Sequence, residues 1–329
     1  MKIASGFAPL ALAVGLIWLL GSSLCRAGYE TPARTFDWPG TATSVAYHLL
    51  PATANAPSNE TVTVLLLGGG PGFSSWNLQP IQKRLAQAGW RVAVMDMAGV
   101  GENVQLLPSV ADKPLKKWVA QIRAWHEAQG GGPLVLVGHS WGALMAMLYT
   151  RAYPEAVRQW VLLNPVDPER KAMQGLAEAI DQRQRAHGLN TVTDDWADTT
   201  TETLSEEALA RRQLQQALPT YFEDVAEGRR YAAQFSARDF RPTLNIAAWQ
   251  AYSAKPISYD WIRRWQAAES RRVDFIECKQ DYFMPTNLQR MTDQMQLDSV
   301  TVLEGCAHFP WVENAAAFYP ALLDALAGR

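Results

Sequence analysis

Short apolar runs without charge alternate along this chain with longer stretches whose apolar positions recur every three or four residues. Residues 61–67 form a compact β-branched and leucine run, which predicts a strand buried on both faces, as in a parallel sheet. Residues 78–88 follow at helical spacing, then 91–95 as the next strand, the amphipathic segment 115–129, the apolar run 134–137, a helix over 143–153 and another apolar strand at 160–163. Upstream, residues 29–40 read as a polar, proline-containing lead-in, and 42–50 alternate enough for an entry strand before a loop at 51–60. Strands alternating with helices predict right-handed crossovers and a mostly parallel sheet of the α/β class, with helices on both faces.

From about residue 166 the rhythm changes. Helical patterns continue, at 172–185 and 205–218, but no convincing buried strand follows until 273–277. The second half of this interval is rich in aromatic residues, among them Tyr221, Phe235, Trp249 and Trp265. They fit helices of a cap that pack on one another and on the core, with a minority lining a pocket. Alternation then resumes with a helix at 287–296, a strand at 300–303 and a closing helix at 315–327. The predicted organisation is a core in two parts, 28–165 and 266–329, with a helical cap inserted at 166–265.

The first residues change the picture at one end. Residues 1–27 place Lys2 before an apolar stretch, then small and polar residues up to Ala27. This resembles a secretory signal cut after Ala27, and a secreted or periplasmic protein is expected, with an uncleaved membrane anchor as the alternative. Leu24 is bulky for a lipoprotein signal ending at Cys25. No later stretch is long and apolar enough to span a bilayer. A formal charge of −2 with acids and bases interspersed gives no basic stripe for nucleic acid, and 48% hydrophobic residues rule out disorder. The expected partner is a small molecule or short peptide; oligomeric state is left open. The mature chain keeps two cysteines, Cys278 and Cys306, each ending a strand-like run. They read either as a disulfide of an oxidising compartment or as two small buried thiols.

The candidate chemistry centres on Gly138-His139-Ser140-Trp141-Gly142, between the run 134–137 and the helix 143–153. A serine on such a strand-to-helix turn projects its hydroxyl at the carboxyl end of the strand, while glycines two residues either side let neighbouring backbone pass. A helix cap after a strand would look similar, so the pattern gains weight from its company. Acyl transfer through serine needs a base, an acid to orient it and backbone donors for the oxyanion. His308 lies in the loop after the last predicted strand and Asp281 in the loop after the preceding one, in the chain order Ser, Asp, His. The glycine run 68–72 would supply one oxyanion donor through the Gly70 amide, with the Trp141 amide as the other. His139 is expected to pack against the sheet, away from the serine hydroxyl. His48, His126 and His187 have no acid placed to complete a triad, and Asp274 and Asp293 read as surface carboxylates. No metal or organic cofactor is implied.

These motifs resemble those of the α/β-hydrolases, and among them the proline iminopeptidase branch. The matching residues are Gly69-Gly70-Pro71-Gly72, Ser140-Trp141-Gly142 and Asp96 with Gly99 and Gly101. The resemblance implies an α/β-hydrolase fold and a serine hydrolase acting through an acyl-enzyme on an ester or amide, as an aminopeptidase on short peptides. Carboxylester hydrolysis and acyl transfer to another acceptor use the same triad, and a non-catalytic ligand-binding protein of this fold is the rival of another class. Two departures stand out: Gly68 replaces the branch's leading histidine, and Ala98 its usual arginine. Members that remove an N-terminal proline hold the free amine with acidic cap residues, often near a Trp-Glu pair. This chain offers Trp249-Gln250, with Glu223, Asp224 and Glu227 as acidic candidates. A solvated helix face explains those carboxylates equally well.

Overall fold

A computed structural model describes residues 28–40, 43–53, 62–109, 113–188, 205–268, 271–282 and 286–328. The expected leader, 1–27, lies outside the described residues. Among the described residues, eight strands form one sheet in the order β1-β2-β4-β3-β5-β6-β7-β8. They are β1 (Arg34–Asp37), β2 (Ser44–Leu50), β3 (Thr63–Leu67), β4 (Arg91–Val94), β5 (Leu134–His139), β6 (Val157–Leu163), β7 (Arg272–Cys278) and β8 (Ser299–Leu303). β1 and β2 run antiparallel to their neighbours; every other pairing is parallel. The central strands β3 and β5 are buried throughout, which accounts for their uninterrupted apolar sequence. Alternate side chains feed two layers: Leu65, Leu67, Leu136 and Trp160 pack into one, Val64, Leu66, Val137 and Val161 into the other.

Helices α1 (Gln79–Gln87), α2 (Pro114–Ala128) and α3 (Trp141–Ala152) connect the first parallel strands, and α9 (Thr286–Gln294), α10 (Pro310–Glu313) and α11 (Ala315–Ala327) follow β7 and β8. Between β6 and β7 lie α4 (Arg170–Ala186), α5 (Glu206–Arg212), α6 (Val225–Ala232), α7 (Pro242–Ala254) and α8 (Tyr259–Gln266). The helical stretch expected at 205–218 is present, but its winding changes: α5 ends at Arg212, the helix widens over Gln213–Ala217, and a tight turn holding Pro219 covers Leu218–Tyr221.

The last helices of the expected cap interval pack on the sheet. Ala248 and Tyr252 of α7 and Ile262 and Trp265 of α8 belong to the same apolar layer as the sheet, and Trp265 stacks on Trp160 of β6 with centroids 3.9 Å apart. An amphipathic helix has the same period whether it covers a cap or a sheet, so the pattern alone does not separate them. β1, unpredicted within the lead-in, is a four-residue edge strand that buries only Phe36. Asp274 is a correction of another kind: it is fully buried, and accepts from Gln159 Nε2, Arg272 and Ser299 Oγ.

Two tethers set the loops at the carboxyl edge. Cys278, closing β7, and Cys306, beyond β8, are joined by a disulfide. Asp96, after β4, is buried and accepts from Tyr29 Oη (2.9 Å), Ser75 N (2.6 Å) and Glu102 N (2.9 Å). A Cβ at Gly101 would lie 2.0 Å from its Oδ2, so only glycine fits against this carboxylate.

Replacing both cysteines by serine should lower stability by about 3 kcal/mol in urea unfolding, because the bridge closes a 28-residue separation in the unfolded chain; an unchanged midpoint would contradict this. Burial raises the Asp96 carboxyl from 3.8 to about 6, against the hydrogen bonds that lower it. The folded chain therefore holds this proton more tightly than the unfolded one. That contribution is full below pH 3.8 and is lost as pH rises through about 6. The melting-temperature advantage of wild type over Asp96→Asn should shrink across that window, and a difference constant with pH would refute it.

Candidate active site

Ser140 occupies the turn between β5 and α3 with φ 53° and ψ −118°, a conformation costly for a residue with a Cβ. The turn closes this sharply because its neighbours lack side chains. A Cβ at Gly142 would meet the Leu67 carbonyl oxygen at 2.0 Å, and one at Gly138 the Gly142 oxygen at 2.6 Å. Gly69 is equally constrained, since a Cβ there would lie 2.9 Å from Ser140 Cβ. The glycines thus allow the loop after β3 and the start of α3 to converge on one hydroxyl. Ser140 N donates to Leu163 O (2.9 Å), which fixes the turn to β6.

His308 and Asp281 meet as the loop positions suggest. His308 Nδ1 lies 2.7 Å from Asp281 Oδ2, and both side chains are buried. The backbone around the histidine is held from two sides: His308 N donates to Tyr221 O of the cap (3.0 Å), while Glu313 accepts from Ala307 N (3.1 Å) and Phe309 N (2.9 Å). Burial pushes the Glu313 carboxyl up, against these donors. Glu277 of β7 is also buried, and neither of its oxygens finds a partner among the described residues. Its carboxyl is raised well above the usual carboxylate range, first by burial and then by the charge of Asp281.

The expectation for His139 needs correcting. Its ring borders the cavity containing Ser140, 4.7 Å from the His308 ring, and its Nε2 lies 2.8 Å from His308 O. Burial and the neighbouring imidazole depress its pKa, so the neutral ring donates through Nε2 and buttresses the histidine loop. Sequence reasoning missed Asn164 and Glu313 as well, and took Tyr221 only as a cap aromatic; the contacts of Asn164 and Tyr221 join segments far apart in the chain. Asn164 did carry one signal, an asparagine directly after a predicted strand.

Ser140 and His308 face a cavity of about 330 Å³ together with Gly70 and Trp141. The Trp141 amide opens α3, where no intrahelical acceptor exists, and Gly70 turns with φ 58°; both residues line the cavity with the serine. Most of the wall is apolar, with Phe73, Phe240, Leu218 and Val166 among its residues. Trp249 joins it, its ring 4.5 Å from Trp141. Glu223 and Glu227 do not line this cavity: Glu223 is exposed, and α6 turns Gly228, Tyr231 and Ala232 inward instead. The carboxylate that does line it is Asp181 of α4, unremarked in the sequence because it sits in an ordinary amphipathic pattern. Among the described residues no cluster of histidine, cysteine and carboxylate side chains is placed to hold a metal, and no helix is long and apolar enough to cross a membrane.

A mostly parallel sheet with polar side chains gathered beyond the carboxyl ends of its central strands gives this protein the architecture of the open α/β folds. The chain belongs to the alpha/beta hydrolase fold family, whose model matches residues 62–315. It is 28% identical over 110 residues to a mouse (lyso)-N-acylphosphatidylethanolamine lipase, covering 32% of this chain and 31% of that one. It is 33% identical over 108 residues to a proline iminopeptidase of Lactobacillus helveticus, covering 32% and 36%. The chain thus spans about a third of the curated relatives it matches. Solved structures similar in fold include a serine hydrolase of Cycloclasticus zankles (TM-score 0.62, 17% identity, 90% of this chain and 98% of that one) and a proline iminopeptidase-related protein of Thermus thermophilus (TM-score 0.60, 18% identity, 90% and 97%).

Gly142→Ala should destabilise the protein by more than about 3 kcal/mol, since its Cβ would overlap backbone. Gly175→Ala on α4, with open space around its Cβ, should instead stabilise by about 0.5–1 kcal/mol. Equal melting temperatures for the two variants would contradict the close approach at the turn.

Proposed function

We propose that the protein is a serine hydrolase that cleaves an ester or amide bond of a small substrate through an acyl-enzyme. The observation that carries this reading is the 2.7 Å contact of His308 Nδ1 with Asp281 Oδ2, on loops bordering the cavity that holds the strained Ser140. Ser140 Oγ attacks the substrate carbonyl carbon and its proton passes to His308 Nε2. Asp281 holds the ring through Nδ1 and stabilises the imidazolium. The carbonyl oxygen takes the negative charge between the Gly70 and Trp141 amides. Collapse of this intermediate breaks the bond to the alcohol or amine, which leaves with the proton from His308. Water then attacks the acyl-serine by the same route, restoring Ser140.

The apolar wall favours a small apolar acyl group, and esters of such acids are the substrates the cavity fits best. A second reading, a proline iminopeptidase-like aminopeptidase on short peptides, draws support from Asp181 in the cavity wall and from the Lactobacillus helveticus relative. In that reading Asp181, rather than Glu223 or Glu227, faces the substrate's free amine. We further infer that residues 1–27 direct export to an oxidising compartment, in keeping with the Cys278–Cys306 bridge.

Nitrophenyl esters of short apolar acids and prolyl or other aminoacyl anilides, offered side by side to wild type and Ser140→Ala, test both readings. Ester turnover should fall at least a thousandfold, ~4 kcal/mol, in the folded variant; unchanged turnover would reject Ser140 as nucleophile. If anilides are cleaved, N-acetylation and Asp181→Asn should each abolish that activity while sparing esters. Anilide cleavage indifferent to both changes would reject the aminopeptidase reading.

A further inference from the structure

Asn164 directly follows β6 and holds φ 43°, a left-handed conformation that asparagine, aspartate and glycine tolerate best. Its backbone N donates to Ile276 O of β7 (2.9 Å). Its side chain is fully buried, and Nδ2 reaches two acceptors, Asp281 Oδ2 at 2.6 Å and Ala307 O at 2.9 Å. An amide nitrogen carries two hydrogens, so both contacts are satisfied at once. One nitrogen therefore links the chain after β6 to the acid after β7 and to the residue preceding His308 after β8. The Asp281 oxygen it meets is the one that accepts from His308 Nδ1. Its own Oδ1 finds no partner among the described residues, a costly arrangement for a buried carbonyl oxygen.

We infer that Asn164 is a positioning residue for the Asp281–His308 pair, an inference that rests on the serine hydrolase reading above. It fixes Oδ2 of the acid in line with the imidazole and ties the histidine loop to the same point, so that ring and carboxylate keep one register. The role demands a neutral donor. Glycine at this position would keep the backbone and lose the donor. Aspartate would keep the backbone and the shape, but would set a second carboxylate against the first. Two carboxylates so placed share one proton: protonated, the new side chain still donates to Oδ2; once both ionise, they repel.

The test is the pH dependence of kcat and KM for p-nitrophenyl butyrate in wild type, Asn164→Gly and Asn164→Asp, with Ser140→Ala beside them. Asn164→Gly should lose about tenfold to a hundredfold in kcat at every pH, with KM little changed because the apolar wall is intact. Asn164→Asp should approach wild type at low pH and lose activity as pH rises, giving a descending limb that wild type lacks. The other titratable or charged groups around this point are His308, Glu313, Glu277, Tyr282, His139, Tyr221 and Arg183. All are common to the three proteins, so a limb found only with aspartate belongs to the new carboxylate. Both variants following the wild-type profile within about twofold would overturn the inference. Ester turnover that survives Ser140→Ala would instead reject the hydrolase reading. The Asn164 contact would then be judged by the His308 titration in nuclear magnetic resonance spectra: it should shift in Asn164→Asp, and an identical titration in both proteins would overturn it.

Discussion

Among the glycines of the described residues, the closest approach to another segment's backbone is between the first turn of α3 and the end of β3. Gly142 passes so near the Leu67 carbonyl that a single added carbon would overlap it. That proximity forces the chain to reverse sharply at Ser140, and the reversal gives the serine its positive φ. Turn strain of this size, about 1–3 kcal/mol, persists only where surrounding structure over-determines it. Here the surroundings are the rigid parallel pairing of β5 with β3 and β6, and the Ser140 amide held by Leu163 O. The scaffold holds the hydroxyl in place before any substrate arrives.

Around that point the remaining groups arrive on three loops that leave adjacent strands. Parallel pairing of β6, β7 and β8 brings the residues after each strand to one edge, so Asn164, Asp281 and His308 meet although the outermost two are separated by the whole insertion and most of the last core unit. The disulfide links the loops that carry Asp281 and His308, Glu313 braces the histidine loop further, and Asn164 ties the loop after β6 to both. The cap contributes as well. Its Tyr221 carbonyl accepts from the His308 amide, and Arg183 of α4 donates to the carbonyls of Thr220 and Phe222 on either side. The wall facing the substrate and the register of the histidine are thereby set by one segment.

Much of this was legible in the sequence, for physical reasons. Buried parallel strands must be apolar throughout, so β3, β5 and β6 announce themselves, and the closing helix was expected at 315–327, where α11 lies. Ser140, Asp281 and His308 stood out because polar residues in loops directly after such strands cannot be explained by packing. What stayed hidden depends on contacts between distant segments. Asp274 reads as surface because nothing local reveals Arg272, Gln159 and Ser299 gathered around it. His139 reads as packing because the carbonyl it meets is 169 residues away. Glu223 and Glu227 drew attention as acids in the insertion, yet which face α6 turns inward is decided by Tyr231 and its neighbours, and the cavity takes its carboxylate from Asp181 instead.

The central claim is that one serine, Ser140, is a nucleophile activated by His308. A fluorophosphonate probe reacts covalently with such a serine, and mass spectrometry of the digested protein locates the adduct. The account predicts a single adduct on the peptide containing Ser140, with labelling slowed at least a hundredfold, ~2.7 kcal/mol, in folded His308→Ala. A folded wild-type protein that takes no label, or takes it on another residue, would contradict the account.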